Sequence, residues 1–164
     1  MKTFGVILFN QKQQVLLVHQ VYSNKWSFPK GQDDKEGETN IACAMRELKE
    51  EAGIYRGSYR ILGHVCYYTH TFFIAVLNKA ENVFDANTND PGEIDDISWV
   101  DFKHLRQFAK SRKCNSTIGG LVNSGKIDEV EKLLKASLKC KEYVQYTCRA
   151  PTPLRSDANS WRVN

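Results

Sequence analysis

An α/β fold is predicted for this chain from three observations. Strand-like and helix-like runs both occur and are interspersed along it, so sheet and helices belong to one core. Clusters of Asn, Asp, Gly and Pro punctuate those runs. The 41% hydrophobic and 26% charged residues are the balance of a globular domain, and 164 residues are enough for one such core.

In chain order, Thr3 to Phe9 predicts a strand and Asn10 to Gln13 a polar turn. Val15 to Val18 predicts a buried strand that pairs with the first as a hairpin. Phe28-Pro29-Lys30-Gly31 is a break, and Gln32 to Gly37 a charged loop. A helix is predicted from Asn40 to Ala52, with Thr39 or Asn40 as N-cap and Gly53 where a left-handed helix end belongs. Ile61–Tyr68, Thr71–Leu77 and Ile97–Val100 predict further strands, and Ala80 to Gly92 a long surface loop. Phe102 to Phe108 turns helical. Lys126 to Lys141 predicts a last helix, with Ile127, Val130, Leu133, Leu134 and Leu138 on one side. The reading is one domain, 1–148, followed by a basic flexible tail, 149–164, that contains Pro151 and Pro153.

No apolar run approaches a membrane span, and Met1-Lys2-Thr3-Phe4 leads into a strand rather than a signal sequence. Five cysteines, odd in number and without a CxxC pair, argue against a disulfide framework or a zinc site. The expected setting is a reducing compartment, the cytoplasm or alternatively the nucleus. The net charge of +4 hides an asymmetry. Residues 1–101 hold 10 Lys and Arg against 14 Asp and Glu, and residues 102–164 hold 13 against 5. An acidic front and a basic back suit a metal site beside a surface for polyanions, although lysines also simply solvate a helix.

The chemistry lies in Gly31 to Ile54. On its helix Glu47, Glu50 and Glu51 occupy neighbouring positions of one face, with Ile41, Met45, Leu48 and Ala52 on the core side. Solvated helices often carry acids, but these crowd the C-terminal end, where the helix dipole disfavours negative charge. A hard cation reverses that sign, since Mg²⁺ takes carboxylate oxygens, waters and phosphates. Arg46 can reach Glu50 one turn on and hold it.

The stretch resembles the Nudix signature: Gly, five residues, Glu, seven residues, Arg-Glu, an aliphatic, any residue, Glu-Glu, any residue, Gly, an aliphatic. Glu38, Arg46, Glu47, Leu48, Glu50, Glu51, Gly53 and Ile54 fall at those spacings. One departure stands out: six residues separate Gly31 from Glu38, so the loop carries an insertion. Phe28-Pro29-Lys30-Gly31 resembles the lead-in of dinucleoside-polyphosphate hydrolases and mRNA-decapping Nudix enzymes. The run Glu93-Ile94 to Lys103, with Glu93 six residues before Trp99, is most similar to the decapping enzymes. The similarity spans about residues 3 to 105.

That resemblance implies an α/β/α sandwich around a mixed sheet and a Mg²⁺-dependent hydrolase, with Mn²⁺ as the alternative ion. It implies Glu47, Glu50, Glu51 and the Gly31 carbonyl as metal ligands. Glu93, Glu50 and Arg46 become catalytic residues, with Glu93 as base or extra ligand and Arg46 orienting a carboxylate. Glu38 is expected to tie loop to helix. Lys30 would meet a phosphate, while Trp26 and Tyr68, among the aromatics Tyr22, Tyr67 and Phe72, are candidates to stack on a base or cap. Lys132, Lys135 and Lys139 would contact RNA. The substrate expected is a 5′ RNA cap, with diadenosine polyphosphates or diphosphoinositol phosphates as alternatives and an inactive binding module behind them. Cellular decapping enzymes carry a helical domain ahead of the Nudix domain that is not seen here, so cap recognition would fall within this domain. No membrane and no obligate protein partner is implied.

Overall fold

The computed structural model describes residues 1–78 and 87–147. Strands β1 (Thr3–Phe9) and β2 (Gln14–Gln20) are apolar on both faces because both faces are covered. Buried Asn10 closes their turn, its Oδ1 accepting from the N–H of Lys12 at 2.9 Å and of Gln14 at 3.0 Å. The expected hairpin holds at its turn end, where Phe9 pairs with Val15. Further along, Thr3, Phe4 and Gly5 pair instead with β4 (Lys30–Gln32). The other edge of β1 is taken along its length by β6 (His70–Leu77), in parallel. Strands β2 and β4 therefore share one edge of β1, and the sheet splays open between them.

The remaining strands are β3 (Lys25–Ser27), β5 (Tyr59–Tyr67) and β7 (Ile94–Asp101). Among the described residues they complete a seven-stranded mixed sheet of order β3-β2-β1-β6-β5, with β7 on β2. Strand alternation sends Phe4, Val6 and Leu8 to one face, under helix α1 (Asn40–Ala52). Ile7 and Phe9 go to the other face, against α2 (Phe102–Ala109), α3 (Ser116–Asn123) and α4 (Lys126–Thr147). The α/β/α sandwich expected from the resemblance is what forms.

Some expectations need correcting. Only Phe28 and Pro29 of the predicted break are free of strand; Lys30 and Gly31 belong to β4, which like β3 is three residues long and too short for any periodicity to betray. Helix α3 was not anticipated, because Gly119 and Gly120 sit in its middle. Packing overrides that propensity: a Cβ on Gly120 would lie 2.2 Å from the Tyr67 hydroxyl, so the glycine lets the helix seat on β5. On α1 the buried face is Cys43, Ala44, Leu48 and Ala52, whereas Ile41 and Met45 are half-buried. Helix α4 runs beyond Lys141 to Thr147 with Ile127, Val130 and Leu134 fully inside. Residues 80–86 of the expected loop, Cys148 and the expected tail 149–164 lie outside the described residues. Among the described residues no helix is long and apolar enough to cross a membrane, and Cys43, Cys66, Cys114 and Cys140 are free thiols.

Candidate active site

Helix α1 begins and ends as its sequence dictates. Thr39 Oγ1 accepts the Ala42 N–H at 3.3 Å, and Gly53 takes φ 66° with its N–H on the Lys49 carbonyl. The segment after residue 86 then satisfies the exposed carbonyls of the helix end. Asn87 N–H donates to Ala52 O at 3.1 Å, Asn89 N–H to Glu50 O at 2.9 Å, and the Asn89 amide to Lys49 O. A Cβ on Gly53 would stand 2.3 Å from the Asn87 carbonyl, so this crossing needs the glycine twice over. From here the chain turns through Asp90 into Glu93, whose carbonyl accepts the Val21 N–H at 2.9 Å at the end of β2. The helix end and the Glu93 segment are thereby built as one unit.

The α1 carboxylates have different fates. Glu51 is buried, 1% exposed, at the splay of the sheet. Its Oε2 accepts the Lys30 backbone N–H at 3.0 Å, and its Oε1 has no hydrogen-bond partner among the described residues. Burial pushes the Glu51 carboxyl up to about 8; the charges of Glu93 and Glu47 add to that, against the Lys30 N–H and ammonium. Glu47 is also mostly buried, and its carboxyl is raised by burial first and by Glu50 and Glu93 next, with Arg46 opposing. Glu50 lies at the rim, 45% exposed, between Arg46 at 3.1 Å and Lys35 at 3.9 Å. The Glu93 carboxylate is thus close enough to act on both buried acids. Glu47 thus lies within electrostatic reach of Glu50 and Glu93, and Glu51 of Glu47 and Glu93, with Glu50 on the exposed side of the group.

Gly31 explains how β4 reaches this cluster. A Cβ there would stand 2.0 Å from the Glu47 carboxyl carbon, so the carboxylate lies flat against bare backbone. The extra residue in the Gln32–Gly37 loop does not displace Gly31 from the site.

Arg46 orders the rim. Its guanidinium donates to Glu38 through Nε at 3.0 Å and Nη2 at 3.1 Å, to Glu47 at 2.5 Å and to Asp34 at 3.2 Å. It also reaches the Gln32 carbonyl at 3.4 Å. The Arg46 bond holds the Glu38 carboxyl below its ordinary value, and in return Arg46 keeps its proton more firmly than usual. Glu38 thus ties the loop to the helix, as the sequence suggested.

A divalent cation fits these residues on two observations: the unpartnered, buried Glu51 Oε1, and the Gly31 cradle that only a bare backbone provides. Among the described residues no three His, Cys, Asp or Glu side chains already converge as a metal cage. Glu47 is engaged by Arg46 and Glu51 by the Lys30 N–H. Mg²⁺ does not require such a cage, since it keeps waters and takes substrate phosphate with one or two carboxylates.

The other candidates are dispersed. Lys30 lies beside Gly5 in register, on the side of β1 opposite Phe72. Tyr68 is 88% exposed at the β5–β6 turn, φ 50°, its ring edge-on to Tyr67. Trp26 is half-buried and packs against His19, and its backbone is bridged to Lys113 and Asn115. Trp26 is thus held by packing and by its backbone. Lys132, Lys135 and Lys139 line the exposed face of α4, with Lys135 paired to Glu131 at 2.8 Å. Leu133 meets Gly63 and Ser137 meets Arg60, so α4 runs antiparallel to β5 and these lysines recede from the Tyr67 end of the sheet. Sequence reasoning did not single out the half-buried His70, whose ring stacks on Phe72, or the His19–Asp95 pair. Neither carries a motif; each is made by strand register.

The NUDIX domain family matches residues 1–122, and the chain belongs to that family. It is 33% identical over 124 residues to the mRNA-decapping protein g5R of African swine fever virus, covering 65% of this chain and 50% of that one. It is 27% identical to the RNA pyrophosphohydrolase of Hydrogenovibrio crunogenus over 120 residues, 60% of this chain and 72% of the relative. The chain thus spans about half the length of its viral relative. A C. elegans Ap4A hydrolase shares the fold, with TM-score 0.59 and 23% identity over 76% of this chain and 96% of that one.

Proposed function

We propose that this protein hydrolyses a phosphoanhydride bond in a nucleotide-linked substrate, with Mg²⁺ or alternatively Mn²⁺, and that the substrate is the 5′ cap of RNA. The observation that carries the hydrolase reading is the buried Glu51, left among the described residues with one oxygen unpartnered, within reach of the charges of Glu47 and Glu93 where the sheet splays. Burying mutually repelling carboxylates is costly unless a cation joins them in the working state.

Glu47, Glu50 and Glu51, with the Gly31 carbonyl, would hold the ion, which when bound neutralises phosphate charge and acidifies a water. Glu93 takes the proton of the attacking water, with Glu50 at the rim as the alternative base. Arg46 keeps Glu47 and Glu50 in fixed orientations. The Lys30 ammonium meets a phosphate oxygen as a point charge. The intact set of acids disfavours an inactive binding module.

The RNA reading draws support from the names of the relatives and from the lysines of α4. Tyr68, solvent-exposed at a turn, is better placed than Trp26 to offer a ring to a base. The setting proposed is a reducing compartment, cytoplasmic or nuclear, in keeping with the free thiols. Incubation with Mg²⁺ and, in parallel, cap-labelled RNA, diadenosine tetraphosphate and a diphosphoinositol phosphate tests it. Decapping predicts release of the labelled cap, a steep loss of rate with salt and no cleavage of free cap dinucleotide. Turnover of one of the small molecules alone overturns the RNA assignment and keeps the hydrolase. No turnover of any of them overturns both.

A further inference from the structure

The segment carrying Glu93 is fastened to the sheet by side chains that no signature motif includes. Strand β7 pairs with β2 from Gln14↔Asp101 to His19↔Asp96, and then the register slips, so that Gln20 faces Ile94. The slip frees Asp95 from the ladder and turns its carboxylate to His19, with Nδ1 and Oδ1 at 2.6 Å. The His19 ring also meets Trp26, centroids 5.1 Å apart and 57° inclined, and Trp26 in turn is pinned through its backbone to Lys113 and Asn115. Glu93 stands two residues before Asp95, with the buried Ile94 between them. Its own carbonyl is tied to Val21, two residues beyond His19.

Four consecutive positions of β7 and its approach are therefore locked: backbone at Glu93, core at Ile94, side chain at Asp95 and ladder at Asp96. On the far side of Glu93 the chain is held by Asp90, whose carbonyl accepts from the Glu93 and Ile94 N–H groups. Glu93 is itself exposed, so the ties of its backbone fix where its carboxylate lies relative to Glu47 and Glu51, against their mutual repulsion.

We propose that His19 and Asp95 are positioning residues that hold Glu93 against the α1 carboxylates. The proposal rests on the hydrolase reading and on the role given there to Glu93. The His19–Asp95 bond acts through the backbone of residues 93–95, so its loss moves Glu93 and not the helix.

The test is a double-mutant cycle on the chain of residues 1–164, read as kcat and KM on whichever nucleotide substrate the wild type turns over. Asp95→Ala removes the acceptor at an exposed position, and Asp95→Asn retains one. His19→Leu removes the donor, and His19→Asn retains an N–H. In the wild-type background Asp95→Ala and His19→Leu should lower kcat on the order of 10- to 100-fold with little change in KM, as a small displacement of a catalytic group does. Asp95→Asn and His19→Asn should restore most of the loss. In a Glu93→Gln background, Asp95→Ala should change kcat by no more than about twofold, since the group it positions is already gone. Full activity of Asp95→Ala overturns the proposal, and so does an equal loss in both backgrounds, which marks a merely structural tie. Should Glu93→Gln alone retain wild-type kcat, the role of Glu93 falls and the proposal with it. Failure of Asp95→Ala with an intact Glu93→Gln effect removes the brace alone.

Discussion

Two acidic regions lie within a turn of each other on α1, and they differ in how their charges are satisfied. At the rim, Arg46 gathers Glu38, Glu47, Glu50 and Asp34, so charges of opposite sign neutralise one another inside the protein. One turn on, Glu51 has, among the described residues, a backbone N–H on one oxygen and no hydrogen-bond partner on the other. The rim charges are balanced within the protein. The buried acid lacks a partner on one oxygen among the described residues, which the proposed cation would supply. Glu47 belongs to both regions, since it takes a bond from Arg46 yet faces Gly31 and Glu51.

The sharpest way to break this contrast is Glu51→Gln. Turnover should fall by about 10³-fold, the order lost with a single key electrostatic contact in other enzymes. The fold should survive, as judged by a cooperative melt. Near-normal turnover would make the buried acid structural after all. Gly31→Ala comes next. Its methyl group must push the Glu47 carboxylate aside, so kcat should drop by about 10²-fold. Because the clash is with a side-chain end, the melting temperature should move by only a few degrees. A larger effect on stability than on rate would argue that Gly31 serves the fold.

Arg46→Lys probes the rim. Lysine cannot make the forked contacts to Glu38 and still reach Glu47 and Glu50, so stability should fall by roughly 1–3 kcal/mol in denaturant titration. Activity should fall about 10- to 100-fold, the effect of loosening a group that orients a ligand. A loss of rate with unchanged stability would move Arg46 from the rim into the chemistry.

The smallest expected effect is on pH. The folded Glu51 carboxyl lies at about 8, above its ordinary value near 4.5. A raised acid contributes its full stability below the unfolded value and loses it as pH rises through the folded one. Without divalent metal the melting temperature should therefore decline between about pH 5 and 8, by several degrees. Glu51→Gln should flatten that slope, and Mg²⁺ should raise the melting temperature most at pH 8, where the ionised carboxylate is most costly. A flat profile in the wild type would mean that Glu51 is better solvated than its burial implies.

The two regions were also unequally legible. Helix spacing alone places Glu47, Glu50 and Glu51 near one another, and the Thr39 and Gly53 caps announce the helix ends. What spacing does not reveal is which acid goes inside. Glu51 and Glu50 are chain neighbours, yet one is buried and the other is half in solvent, because β4 and the Glu93 segment close over only one side of the helix. Likewise Ile41 and Met45 looked like core by hydrophobicity, while the smaller Cys43 and Ala44 fill it, since the sheet comes close to the helix there. Helix α3 was hidden because Gly119 and Gly120 oppose helix formation locally, and contact with Tyr67 compensates only once the chain has folded.

The amino-acid order by itself determined the class of fold, the capped helix, and the acids and arginine at their spacings, because these depend on periodicity and on residues within a turn of one another. Tertiary structure alone decided that β1 divides one edge between β2 and β4, that Gly31 lies bare against Glu47, and that Glu93 is carried in from beyond residue 86 with Asp95 clasped to His19. Those arrangements join residues tens of positions apart through strand register and close packing, which no local pattern encodes.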